Sequence, residues 1–172
     1  MNQNTSENQH EISNQFVGKT ILLVNTGSQK KKFIIQKLKK LGLTVVVLNR
    51  KKNWAEPYAD HWILSDMDDH DATIEAISDF IEKNQNIHID GSMTFWEDDV
   101  LLNAKIIDRF GLIGIPFESA RKIRNKYLFR RFCVENSLPA PKFKIIKDQS
   151  DLDFISSNFE FPVVIKPAYG AS

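Results

Sequence analysis

Between Thr20 and Phe110, short β-branched apolar runs alternate with longer segments of helical period, and this alternation leaves few architectures open. Thr20 to Asn25 is the first run. It meets the turn-prone Thr26-Gly27-Ser28, after which Phe33, Ile34, Ile35, Leu38 and Leu41 recur at helical spacing, with Gly42 as the expected cap. Thr44 to Leu48 is apolar almost throughout, as a strand covered on both faces requires. A third strand is expected at His61 to Leu64 and a helix through Ile74, Ile77, Phe80 and Ile81. A fourth strand follows at Ile87 to Thr94, then a helix from about Asp98 to Phe110 that Gly111 stops. The alternation predicts the α/β class: a Rossmann-like parallel sheet covered by helices and built with right-handed crossovers.

After Gly114-Ile115-Pro116 the texture changes. A basic helical stretch is expected from Ser119 to Asn136, ending at Pro139-Ala140-Pro141. A strand (Phe143 to Ile146), a helix (Ser150 to Asn158) and a terminal strand (Pro162 to Lys166) follow. The reading is a Rossmann-like domain over 19–117 and the first part of an α+β domain over 118–172. Residues 1–18, rich in Asn, Gln, Ser and Glu up to Gln15, read as a disordered leader and not as a secretory signal. The terminal strand would expose an apolar edge, so 119–172 is expected to be less well ordered than 20–116 or held by a partner chain.

Composition narrows the functional classes. No apolar stretch approaches a membrane span. The single cysteine, Cys133, cannot form an internal disulfide, so a reducing cytoplasm is the expected compartment. The net charge of +1 hides an uneven distribution: residues 119–147 carry nine Lys or Arg against one acidic residue. Arg121, Lys122, Arg124, Lys126, Arg130 and Arg131 suit either a solvated face or contact with phosphate. Nucleic acid is disfavoured, because Phe129 and Phe132 fall with Leu128 and Cys133 on one expected buried stripe and leave too few aromatics for stacking.

Several candidate sites dissolve on inspection. Gly27 follows a first strand, but the spaced glycines of a dinucleotide-binding turn are missing, so an ordinary strand–helix turn is expected. The acidic run Asp66 to Asp71 has Asp71 where a calcium loop of the EF-hand type needs glycine and Ile77 where it needs glutamate; helix capping explains it better. His10, His61, His70 and His88 lack ligand spacing, and Cys133 reads as core. Glu97 lies just beyond the fourth strand, at the sheet end where open α/β folds bind ligands. Binding a substrate ammonium and capping the next helix are both open to it.

The end of the chain carries the most specific signal. In Val163-Val164-Ile165-Lys166-Pro167-Ala168-Tyr169-Gly170-Ala171-Ser172, an apolar run enters a lysine and opens into a loop of small residues, as a phosphate cradle begins. With Ile123-Arg124-Asn125-Lys126-Tyr127-Leu128-Phe129-Arg130 and Leu138-Pro139-Ala140-Pro141, it resembles the opening of the ATP-grasp fold. Tyr58-Ala59-Asp60 and Gly111-Leu112-Ile113-Gly114 resemble that family's preceding domain, so the likeness runs from about Thr20 to Ser172.

The resemblance implies that Lys126 and Lys166 hold ATP as point charges, while Tyr169, Gly170, Ala171 and Ser172 begin a loop over its phosphates. It implies an ATP-dependent ligase that activates a carboxylate as an acyl phosphate and couples it to an amine. Amino-acid ligase, biotin-carboxylase-like and carbamoyl-phosphate-synthase-like chemistries all stay open. Mg2+ is the implied metal, with its ligands expected beyond Ser172. The chain alone is therefore expected to be inactive, with ATP, a small carboxylate and an amine as partners. A homo-oligomer or a complementing C-terminal segment is a further open partner. The alternative is a non-catalytic α/β module that binds nucleotide or protein.

Overall fold

In the computed structural model, which describes residues 15–170, four strands form one parallel sheet. They are β1 (Thr20–Val24), β2 (Thr44–Asn49), β3 (His61–Leu64) and β4 (Gly91–Thr94), ordered β3-β2-β1-β4. Helices α1 (Lys32–Lys40), α2 (His70–Lys83) and α3 (Val100–Phe110) alternate with them.

Side chains alternate across the sheet, and each set meets its own helices. Leu22, Val24, Val46, Leu48 and Ile63 pack with Ile77, Leu102 and Ile106 of α2 and α3. Leu23, Val45 and Val47 pack with Ile35 and Leu38 of α1. Because both faces are covered, β1 and β2 are apolar almost end to end.

Two aspartates open the ladder. The Asp90 amide donates to the Thr20 carbonyl (2.9 Å), and its carboxylate accepts from the Thr20 amide (2.8 Å) and from Lys19 Nζ (2.8 Å). Asp60 repeats this with Val45 (2.9 and 2.7 Å) and Lys39. Each carboxylate thus satisfies an N–H at the strand start that would otherwise lack a partner. Asp90 also makes the fourth strand shorter than the expected Ile87 to Thr94, because pairing begins only at Gly91.

The helix ends follow the sequence. Asp69 caps α2 by accepting from the amides of Asp71 and Ala72, so the acidic run is indeed a cap. Gly42 and Gly111 have φ of +79° and +64°, the left-handed geometry that ends α1 and α3. Residues 15–18, read from composition as part of the leader, instead form a turn, with Val17 against Gly42 and the Gly18 amide on the Gly42 carbonyl.

The chain divides into two compact units, one reaching to Phe117 and the other starting at Glu118. The second contains most of α4 (Phe117–Arg124) together with α5 (Lys126–Glu135) and α6 (Gln149–Asn158). The single helix expected over Ser119 to Asn136 is broken at Asn125, whose extended backbone and side-chain oxygen cap α5 at the Leu128 amide (2.9 Å). The strands expected at Phe143 to Ile146 and Pro162 to Lys166 join no ladder among the described residues, and a strand exists only through its pairing partner. Of the expected buried stripe only Cys133 is buried; Phe129 and Phe132 are 40% and 38% exposed. Packing in this unit is local: Tyr127 meets Phe143 edge-on, and Lys142 and Lys144 lie over Phe159 and Phe154.

Candidate functional site

In the sheet order, β2 and β3 lie on one side of β1 and β4 on the other. The strand order therefore reverses between β1 and β4, and in an open α/β sheet the loops leaving the strands at such a reversal flank the usual ligand crevice. Asn25 leaves β1 there with φ of +63°, a left-handed conformation that asparagine tolerates better than most residues. Its Nδ2 reaches across to Asp99 Oδ2 (2.7 Å) in the turn after β4.

Asp99 is a carboxylate altered by this setting. Burial pushes its carboxyl above the ordinary value, and nearby Asp98 adds to the effect, against the pull of the Asn25 amide. Glu97, the expected residue, is exposed at the start of the same Glu97–Asp99 turn. Sequence reasoning missed Asp99. Its only sequence signal is its place in Glu97-Asp98-Asp99, and only the fold shows which of the three turns toward Asn25. At the far side of the mouth Arg50 is clamped by Asp66 and Asp68, which raise its already high value through the Asp68 hydrogen bond first.

The turn after β1 is occupied by its own chain. The Gly27 amide donates to Asn25 Oδ1 (2.8 Å), and its carbonyl accepts from Trp54 Nε1 (3.0 Å). Buried Thr26 Oγ1 accepts from Asn49 Nδ2 (3.1 Å) and Asn53 Nδ2 (2.8 Å). Trp96 lies against Gly27, so that a Cβ on Gly27 would come within 3.1 Å of its ring. Lys31 sits over the same ring at 4.9 Å and donates to the Phe95 carbonyl.

In the second unit, the break at Asn125 makes Lys126 the first residue of α5. Its amide donates to the Ala168 carbonyl (2.9 Å) and its Nζ to the Gly170 carbonyl (2.9 Å). Residues 44 apart in sequence are thereby joined. Lys166 and Tyr169 are exposed, and Gly170 has φ of +120° with open space around it. Ala171 and Ser172 lie outside the described residues. Three cations of the basic segment are locally paired: Arg121 forks onto Glu118, Arg131 pairs with Glu135 and Lys144 with Asp151. These contacts raise the values of all three cations, first through the hydrogen bond in each case. Among the described residues no three His, Cys, Asp or Glu gather to hold a metal, and no helix is long and apolar enough to cross a membrane.

Comparison with known proteins agrees with this fold. Residues 35–114 match the ATP-grasp N-terminal domain family. The L-arginine-specific L-amino acid ligase of Bacillus subtilis is 22% identical over 158 residues, 88% of this chain and 37% of that protein. Among solved structures, the L-amino acid ligase of Bacillus licheniformis superposes with a TM-score of 0.75 at 24% identity, covering 90% of this chain and 38% of that one. An N5-carboxyaminoimidazole ribonucleotide synthetase in its ADP complex gives 0.71 at 20% identity, covering 91% and 39%. The chain thus spans less than two fifths of the length of each, and the two structural likenesses are likenesses of fold.

Proposed function

We propose, from the match of residues 35–114 to the ATP-grasp N-terminal domain family, that this chain supplies the acceptor-side domain and the first nucleotide contacts of an ATP-dependent ligase. The observation that carries the reading is the pair of hydrogen bonds that Lys126 donates to the loop at Ala168 and Gly170, downstream of Lys166. Two ammonium groups and a loop with an unobstructed glycine suit a polyphosphate. The lysines neutralise its oxygens as point charges, and the Gly170 backbone approaches without a Cβ in the way. On binding, Lys126 exchanges the Gly170 carbonyl for phosphate oxygen, which frees the loop to close.

The reaction class is transfer of the γ-phosphoryl group to a carboxylate oxygen with departure of ADP. An amine then attacks the acyl carbon, expelling phosphate and losing its proton. The relatives named for amino acids favour an amino-acid acceptor or donor. In this role Asp99 and Glu97 offer carboxylates at the crevice between β1 and β4, where an ammonium group is favoured. We take Mg2+ and the phosphoryl step to need carboxylates beyond residues 15–170, as the family resemblance implies.

The test is ATP binding to the 172-residue chain, measured by calorimetry, with Lys126→Ala and Lys166→Ala. Each substitution is expected to weaken binding about tenfold, the loss of one charge-assisted contact. No effect from either refutes the assignment. Phosphate release by the pure chain that Lys166→Ala abolishes would overturn the statement that turnover needs a larger assembly.

A further inference from the structure

We propose that Arg130 is a third cation of the nucleotide site, reaching the phosphate chain held by Lys126 from one turn further along α5. The proposal rests on the nucleotide reading above and adds a residue to it.

Arg121, Arg131 and Lys144 each hold a carboxylate, and Lys122 and Lys142 lie over the rings of Phe132 and Phe159. Arg130 does neither. The residue is half-buried, yet among the described residues its guanidinium donates to no acceptor and pairs with no acid. The reason lies in its own helix. The places three and four residues to either side of Arg130 hold Lys126, Tyr127, Cys133 and Val134, none of them acidic. Arg131, one position on, has Glu135 four residues ahead and meets it at 2.7 Å.

Lys126 and Arg130 stand at i and i+4 of α5, so they share one face of the helix. Side chains on a helix lean toward its N-terminus, which carries Arg130 back over the turn that Lys126 begins. That turn is where Lys126 Nζ meets the Gly170 carbonyl at 2.9 Å. The rise of one turn, about 5.4 Å, is within the reach of an arginine side chain. Two like charges at this spacing repel each other, and the carbonyl beside Lys126 is a neutral acceptor that offsets little of it. A phosphate at Lys126 reverses the sign of the interaction. It also gives the guanidinium the two-oxygen partner that its planar fork of donors fits. Lys126 then neutralises as a point charge, while Arg130 fixes how the phosphate is turned.

The test is calorimetric titration of the 172-residue chain with ATP and, separately, with inorganic tripolyphosphate. It compares wild type with Arg130→Gln, Arg130→Lys and Arg131→Gln, and takes Lys126→Ala as the reference. Arg130→Gln should weaken both ligands about tenfold, the loss of one charge-assisted contact. Arg130→Lys should recover part of that loss, because it keeps the charge and forfeits the fork. Arg131→Gln makes the same change of charge one position away and should leave both affinities within about twofold of wild type. Without ligand, Arg130→Gln should melt no lower than wild type, since it removes a repulsion; a purely structural arginine would lower the melting temperature. Equal weakening by Arg130→Gln and Arg131→Gln would overturn the proposal, because net charge alone would then be at work. So would Arg130→Gln that binds like wild type while Lys126→Ala binds weakly, a result that leaves the nucleotide reading standing. Wild type that binds neither ligand, or an unaffected Lys126→Ala, would overturn that reading and this proposal with it.

Discussion

Replacing Asp90 with asparagine isolates the device that starts the parallel ladder. The Thr20 amide is only 6% exposed as a residue and has the Asp90 carboxylate, at 2.8 Å, as its partner. A hydrogen bond to a charged group contributes about 1.5–3 kcal/mol and a neutral one about 0.5–1.5, so Asp90→Asn should cost about 1 kcal/mol. The exposed pair with Lys19 adds at most a few tenths more. Asp90→Ala leaves the amide without a partner and should cost about 1–3 kcal/mol. For a domain of this size 1 kcal/mol corresponds to a fall in Tm of about 4–8 °C, readable by circular dichroism.

The pH dependence fixes the cause. Burial pushes the Asp90 carboxyl upward, but the hydrogen bonds from Lys19 and the Thr20 amide outweigh it and hold the group below its ordinary value. A carboxyl with a lowered folded value stabilises fully above its unfolded value and loses that contribution as pH falls through the folded value. The gap between wild type and Asp90→Asn should therefore be widest near neutrality and close in acid. If the two melt alike at neutral pH, or the gap persists unchanged in acid, the reasoning fails. Asp60, also held low by Lys39 and the Val45 amide against its burial, should behave in the same way.

Asp99→Asn should do the opposite. The folded state raises this carboxyl, chiefly by burial, so wild-type stability falls as pH rises from the unfolded to the folded value and stays lower above it. The asparagine variant should melt higher than wild type near neutrality and show no gain in acid, while losing affinity for an amine acceptor; a lower melting temperature at neutral pH contradicts the assignment. Asn125→Ala removes the cap of α5 and should cost about 0.5–2 kcal/mol in the second unit, with loss of helical signal and faster exchange of the Lys126 to Phe129 amides. Unchanged exchange there would mean that the Lys126 contact to Ala168, and not the cap, starts the helix.

The α/β alternation was legible because both of its periods are local. β-branched runs such as Thr44 to Leu48 and stripes such as Ile74, Ile77, Phe80 and Ile81 announce strand and helix within a few residues. The capping role of Asp66 to Asp71 and the stops at Gly42 and Gly111 are likewise short-range, and the structure keeps them. The strands read at Phe143 to Ile146 and Pro162 to Lys166 fail for the converse reason: apolar β-branched composition permits a strand, but only a neighbouring chain segment makes one.

The sequence by itself determined the class of sheet and carried the family resemblance, to which Lys126 and Lys166 contribute. Only the tertiary structure decided which groups meet. It chose Asp99 as the carboxylate on Asn25, brought Lys126 onto Gly170 across 44 positions, and laid Trp96 on Gly27. Periodicity records which face of an element avoids water, a property of neighbours along the chain. Contacts between loops that leave different strands depend on sheet order and register, which no local pattern encodes.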